Sequence, residues 1–116
     1  MLLLVLVLNK VQCLEAILEN FIKSGIKGAT VIDSTGMAKI LCDDNHIGEL
    51  PIFGSLKMFV NEKYPYNKTI FVVIEDKDLD KTLTCIKKET GDLKKPGVGI
   101  VFTVPLSYME GINFTD

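Results

Sequence analysis

The 116-residue sequence predicts a single α+β domain in which a four-stranded antiparallel sheet carries two helices on one face. Three observations predict it. The chain opens with an unbroken Leu/Val run, two amphipathic segments each follow a strand-like stretch, and three further stretches are dense in β-branched residues.

The first element is the run Leu2 to Leu8, apolar at every position, as expected of a central strand buried on both faces. Its seven residues are too few to span a membrane, and the cationic region and small-residue cleavage site of a signal peptide are missing. Asn9 with Gln12 three residues on forms a capping-box pattern that predicts a helix start. Val11, Leu14, Ile17, Leu18, Phe21 and Ile22 fall on one face at helical spacing, and Lys23 with Gly25 supplies the stop.

Residues 29–37 read as the second strand, and residues 38–66 as a long connection without strand periodicity. Within it, Ser55 is a candidate N-cap for a short amphipathic helix with Leu56, Phe59 and Val60 inward, packed on the sheet; Ile52 and Phe53 ahead of it are the alternative, an anchor for a partner protein. Residues 68–75 form the next strand. Asp76 or Asp78 caps a second helix bearing Leu79, Leu83 and Ile86 on one face, and residues 99–104 close the domain as the last strand. The order β-α-β, connection, β-α-β is the split βαβ pattern of the ferredoxin-like fold. Both strand stretches near the end are apolar at nearly every position, so the sheet face without helices is expected to be covered too, by a second copy of the chain.

Composition narrows the function classes. Apolar residues at 47% and charged residues at 24% are those of a globular domain, which excludes a disordered or low-complexity chain. With a net charge of −2 and thirteen basic residues spread along the length, no basic stripe is available for nucleic acid. All thirteen are lysine, so any anion site must use lysine and backbone N–H groups and not a bidentate guanidinium. Cys13, Cys42 and Cys85 form no CxxC pair, which fits a reduced, cytoplasmic protein. One histidine, no arginine and no nucleophile paired with a base leave no constellation for catalysis, so a non-enzymatic role is expected.

Against this background, "GIKGATVIDSTG" (25–36), "PYNKTIFVVIED" (65–76) and "TGDLKKPGVGIVFTVP" (90–105) resemble the PII signal-transduction family, the nitrogen regulatory PII-like proteins of bacteria, in order and spacing over nearly the whole chain. The resemblance implies a homotrimer of ferredoxin-like subunits that binds small effectors, usually adenine nucleotides, in the clefts between subunits. It implies also that the 38–66 connection contacts a protein target. Thr30 matches the family threonine of the second strand, Gly36, Met37 and Lys39 the root of the mobile loop, and Gly97 and Gly99 the glycines of the nucleotide loop. Lys94 and Lys95 are the cations of that loop here; Ile100 stands where the family has a lysine, and the tail 107–116 carries none of the family's arginines.

Two other readings of the same residues follow from their chemistry. A Pro-Gly turn before a strand is by itself a structural device, which leaves a ligand-independent interaction module. "CDDNH" (42–46) puts a thiol, two carboxylates and the only histidine together, so that Cys42 and His46 near a trimer axis would form a metal site.

Overall fold

A computed structural model describes residues 1–43 and 66–112. Its elements are β1 (Leu2–Leu8), α1 (Leu14–Lys23), β2 (Thr30–Ser34), α2 (Met37–Asp43), β3 (Asn67–Ile74), α3 (Leu79–Thr90) and β4 (Gly99–Pro105), with 3₁₀ turns at Val11–Cys13 and Asp76–Asp78 leading into α1 and α3. The strands form one sheet in the order β2-β3-β1-β4, and every neighbouring pair is antiparallel. The predicted α+β class and four-stranded antiparallel sheet are therefore present. The short helix expected at Ser55 lies outside the described residues.

Register sorts the side chains onto two faces, because residues directly opposite in an antiparallel pair share a face and the next residues along point the other way. Leu4 stands opposite Val72 and Thr103, and Leu6 opposite Ile70 and Val101. Leu4, Leu6, Leu8, Ile70, Val72 and Ile74 thus share the face on which both long helices lie, and they form one core with Ile17 and Phe21 of α1 and Cys85 and Ile86 of α3. Each such aliphatic side chain, taken fully from water, contributes about 1.5–3 kcal/mol. Cys13 and Cys85 are buried, free and part of this core, and α1 is tied to α3 by Asn20, whose side-chain amide donates to the Cys85 carbonyl (3.1 Å) and to the Glu89 carboxylate (2.8 Å).

The other face is also apolar. Leu3 stands opposite Val73 and Val104, Val5 opposite Phe71 and Phe102, and Val7 opposite Ile100. Val5 at its centre is buried (6%), but along the edge strand β4 Ile100 (57%), Phe102 (45%) and Val104 (44%) are left open to solvent. Only towards β2 does it turn polar, where the Ser34 hydroxyl meets Asn67 and the Thr69 hydroxyl (2.7 Å).

Several local expectations need correction. The Asn9/Gln12 capping box does not form: the Asn9 and Lys10 N–H groups both donate to the Val98 carbonyl (2.9 and 3.1 Å), so a long-range partner has replaced the local one, and α1 starts only at Leu14. Ile22 is 73% exposed and not part of the core face. At about 100° per residue it stands more than a quarter-turn from the centre of the stripe set by Ile17 and Phe21. Asp78 stands at the N-cap of α3, one of the two positions expected, but its side chain makes no capping hydrogen bond. The connection after β2 begins with a helix, α2, built from the strong helix formers Met37, Ala38, Lys39 and Leu41.

The stop of α1 is as predicted, and its geometry explains the glycine. The Ile26 N–H donates to the Phe21 carbonyl (2.8 Å) and the Gly25 N–H to the Ile22 carbonyl (3.1 Å), the bond pair of a Schellman motif, with Gly25 at φ +85°. Ile26 and Phe21 both join the core, which turns the chain back towards β2. Removing the core's centre should be costly in proportion: Ile17→Ala or Leu6→Ala should lose about 2–5 kcal/mol of unfolding free energy. In urea titrations this reads as a lower midpoint at an unchanged slope, and an unchanged midpoint would refute the assigned core.

Candidate functional site

Apart from Thr30, the sequence-chosen residues fall at one end of the sheet, where β1 and β2 finish and β3 and β4 begin, but at its two opposite edges. Gly36 follows β2, and its carbonyl accepts from the Ile40 N–H (3.1 Å) to start α2, which carries Met37 and Lys39. The Lys39 ammonium lies 5.3 Å from the ring centroid of Tyr66, the residue just before β3. This cation–π contact joins the two ends of the chain that bracket residues 44–65.

At the β4 edge, the turn after α3 is organised by Asp92. Its carboxylate accepts from the Lys94 N–H (2.9 Å) and its carbonyl from the Lys95 N–H (3.2 Å), an Asx turn that leaves both lysine side chains exposed. Gly97 is at φ +80°, and Gly99 at φ +152° sits so close to β1 that a Cβ there would stand 2.5 Å from the Val7 carbonyl oxygen. Glycine is required at 99 both by conformation and by space. Lys10, held beside this loop by its bond to Val98, is a further cation of the same end that sequence reasoning passed over. The signal was weak, a single lysine inside what read as a helix start.

Within one chain these two groups do not meet. β2 and β4 are the edge strands, separated by β3 and β1, so three inter-strand spacings of about 4.8 Å, roughly 14 Å, lie between them. Thr30 is apart from both, halfway along the sheet opposite Phe71.

Thr30 does line a cleft of about 700 Å³ towards the opposite end of the sheet. Its walls are the α1–β2 connection from Gly25 to Ala29, Phe71 and Val73 of β3, and the entry to α3 with Lys77 and Lys81. Lys27 adds a third ammonium, while Glu75 pairs with Lys77 (3.6 Å) and Asp78 with Lys81 (3.5 Å). The cleft therefore offers an apolar floor with three ammonium groups and two carboxylates at its rim. Gly111 and Ile112, from the segment after β4, complete the wall. Beyond Thr30 this cleft was not legible in the sequence, because it is assembled from four separate stretches.

Among the described residues no group of three or more His, Cys, Asp or Glu side chains could hold a metal ion, and no helix is long and apolar enough to cross a membrane. The Cys42 side chain and the whole of His46, the alternative metal ligands, lie outside the described residues. No protein-family model matches the chain, and no curated protein matches it.

In the segment after β4, the Tyr108 hydroxyl donates to the Glu110 carboxylate (2.7 Å), which raises the phenol's pKa above its ordinary value of 10.0, with desolvation a smaller contribution. Glu110→Gln removes the charge that opposes phenolate formation, so Tyr108 should titrate at lower pH. Alkaline titration followed by phenolate absorbance checks this, and an unmoved midpoint would show that the pair does not persist in solution.

Proposed function

We propose that this protein is a PII-like regulatory protein and not an enzyme: a homotrimer of ferredoxin-like subunits that senses a small anionic metabolite at the subunit clefts and signals through the 38–66 segment to a protein target. The split βαβ arrangement supports the fold, since β3 lies between β1 and β2 and β1 lies between β3 and β4. The quoted resemblance to the PII family supports the metabolite class, an adenine nucleotide first.

The observation that carries the reading is an apolar face, open to solvent along β4, whose two edges hold the two halves of an anion set. Apolar patches of that kind mark interaction surfaces. β2 and β4 run in opposite directions, so the β2 edge of one copy can lie antiparallel beside the β4 edge of the next, and three copies closed in a ring would turn the apolar faces inward. Lys39 and Gly36 of one subunit would then stand near Lys94, Lys95, Gly97 and Gly99 of its neighbour. Such a site combines ammonium groups with the backbone N–H groups of a glycine-rich turn and needs no arginine. Thr30, on the same β2 edge, would contact the rest of the ligand.

Signalling in this account is a population shift. An anion that draws Lys39 away from Tyr66 favours one arrangement of the chain between them, a coupling typically worth about 1–3 kcal/mol. The absence of arginine favours a second reading, in which the glycines are only turns and the 38–66 segment is a fixed docking surface.

A thermal-shift screen against ATP, ADP, AMP, cyclic nucleotides and bicarbonate separates the two. A true effector at a hundred times its Kd should add about 2.7 kcal/mol of stability. Lys39→Ala or Lys95→Ala should then weaken binding about tenfold or more, the worth of a charge-assisted hydrogen bond, with the trimer intact. No shift at millimolar ligand would favour the docking module, and unchanged affinity in both variants would remove this site from the account.

A further inference from the structure

We infer that β2 of one copy joins β4 of the next as a hydrogen-bonded antiparallel ladder in a single register, with Val31 opposite Thr103 and Asp33 opposite Val101 of the neighbour. The inference rests on the proposed trimer and specifies the contact that closes it.

Hydrogen-bond phase carries the argument. In an antiparallel pair the two residues of a bonded rung point their N–H and C=O groups at each other, and the next residues along point theirs to the opposite side. The Leu106 N–H donates to the Met1 carbonyl (3.1 Å) and the Asn9 N–H to the Val98 carbonyl (2.9 Å), one rung at each end of the β1–β4 pairing. Odd-numbered residues of β1 are therefore bonded to β4 and even-numbered ones to β3, which turns the odd-numbered residues of β3 towards β2. Carried outward, the alternation points the backbone groups of Val31 and Asp33 out of the sheet at one edge. At the other edge it points out those of Gly99, Val101, Thr103 and Pro105. Pro105, which has no N–H to offer, thus stands at an outward position of an edge strand, where proline is tolerated.

A rung between copies must join outward residues of both edges, so the permitted registers differ by steps of two. One alone sets all five residues of β2 opposite residues of β4, with Thr30 beside Val104, Ile32 beside Phe102 and Ser34 beside Ile100. The side chains agree with it. All six lie on the apolar face, so the two faces continue into one, and Ile32 (46% exposed) covers Phe102 (45% exposed). β4 carries no charge to oppose Asp33, whose carboxylate already pairs with Lys68. Beyond the ladder, Gly36 comes level with Val98 of the neighbour, between Gly97 and Gly99, which joins the two halves of the anion set. Phase also permits β4 against β4 of another copy with Phe102 facing itself, but that pairing leaves the β2 edge open and the anion set divided.

Cross-linking tests the register. Non-bonded rungs hold their Cα atoms about 4.5 Å apart, within disulfide reach, whereas a slip of two residues puts the same pair about 7–8 Å apart. Thr30→Cys/Val104→Cys and Ser34→Cys/Ile100→Cys should each, on mild oxidation of the full chain, give two- and three-chain species on non-reducing gels. The wild type, with its three native cysteines, and Thr30→Cys/Phe102→Cys should stay single chains. Two sites are used so that a folding defect in one leaves the other to decide. Three-chain mass by light scattering with no cross-link in either double variant overturns the ladder and leaves the trimer. Cross-linking of Thr30→Cys/Phe102→Cys shows a slipped register, and of Phe102→Cys alone shows β4 against β4; either result overturns the inference. A wild type of single-chain mass overturns the ladder and the trimer together.

Discussion

A sheet whose strands are apolar on both faces needs two covers, and α1 and α3 supply one. β1 is the origin of this constraint. It pairs with β3 on one side and β4 on the other, and its Leu/Val run sends Leu4, Leu6 and Leu8 to the helices and Leu3, Val5 and Val7 to the opposite face. No one-residue slip of β1 would make either face polar, so register must be held elsewhere. Gly99 is one such point: its close approach to Val7 fits only when Leu8 stands opposite it.

The same arrangement decides where function can reside. Because the strand order separates β2 from β4, the lysines and glycines suited to an anion are divided between edges that one chain cannot bring together. In the proposed trimer one contact, a second copy laid edge to edge, would cover the open β4 side and join the divided site. The cleft at the other end of the sheet differs in being lined within one chain, with Gly111 and Ile112 of the segment after β4 on its wall.

Much of this was legible in the sequence wherever the controlling interactions are local or periodic. β-branched density located β2, β3 and β4 to within a residue or a few, and the Gly25 stop of α1 follows from the need for a positive φ. The failures share a cause. Asn9 and Gln12 satisfy a local capping rule, but Val98, far away in sequence, claims the Asn9 N–H. Helix α2 is too short to show a period, and Ile22 sits at the margin of an apolar stripe where spacing alone cannot separate core from surface. Of the candidate site, the glycine loop and the Gly36–Lys39 root could be read, whereas their placement at opposite edges depends on strand order, which no local pattern encodes.

The account depends most on the second face being covered by further copies of the chain, and solution mass measures that directly. Multi-angle light scattering of the purified protein at micromolar concentration should give three times the chain mass, and Phe102→Glu, which puts a charge on the open β4 side of that face, should give the mass of one folded chain. A wild-type protein that stays a monomer under those conditions would contradict the central claim.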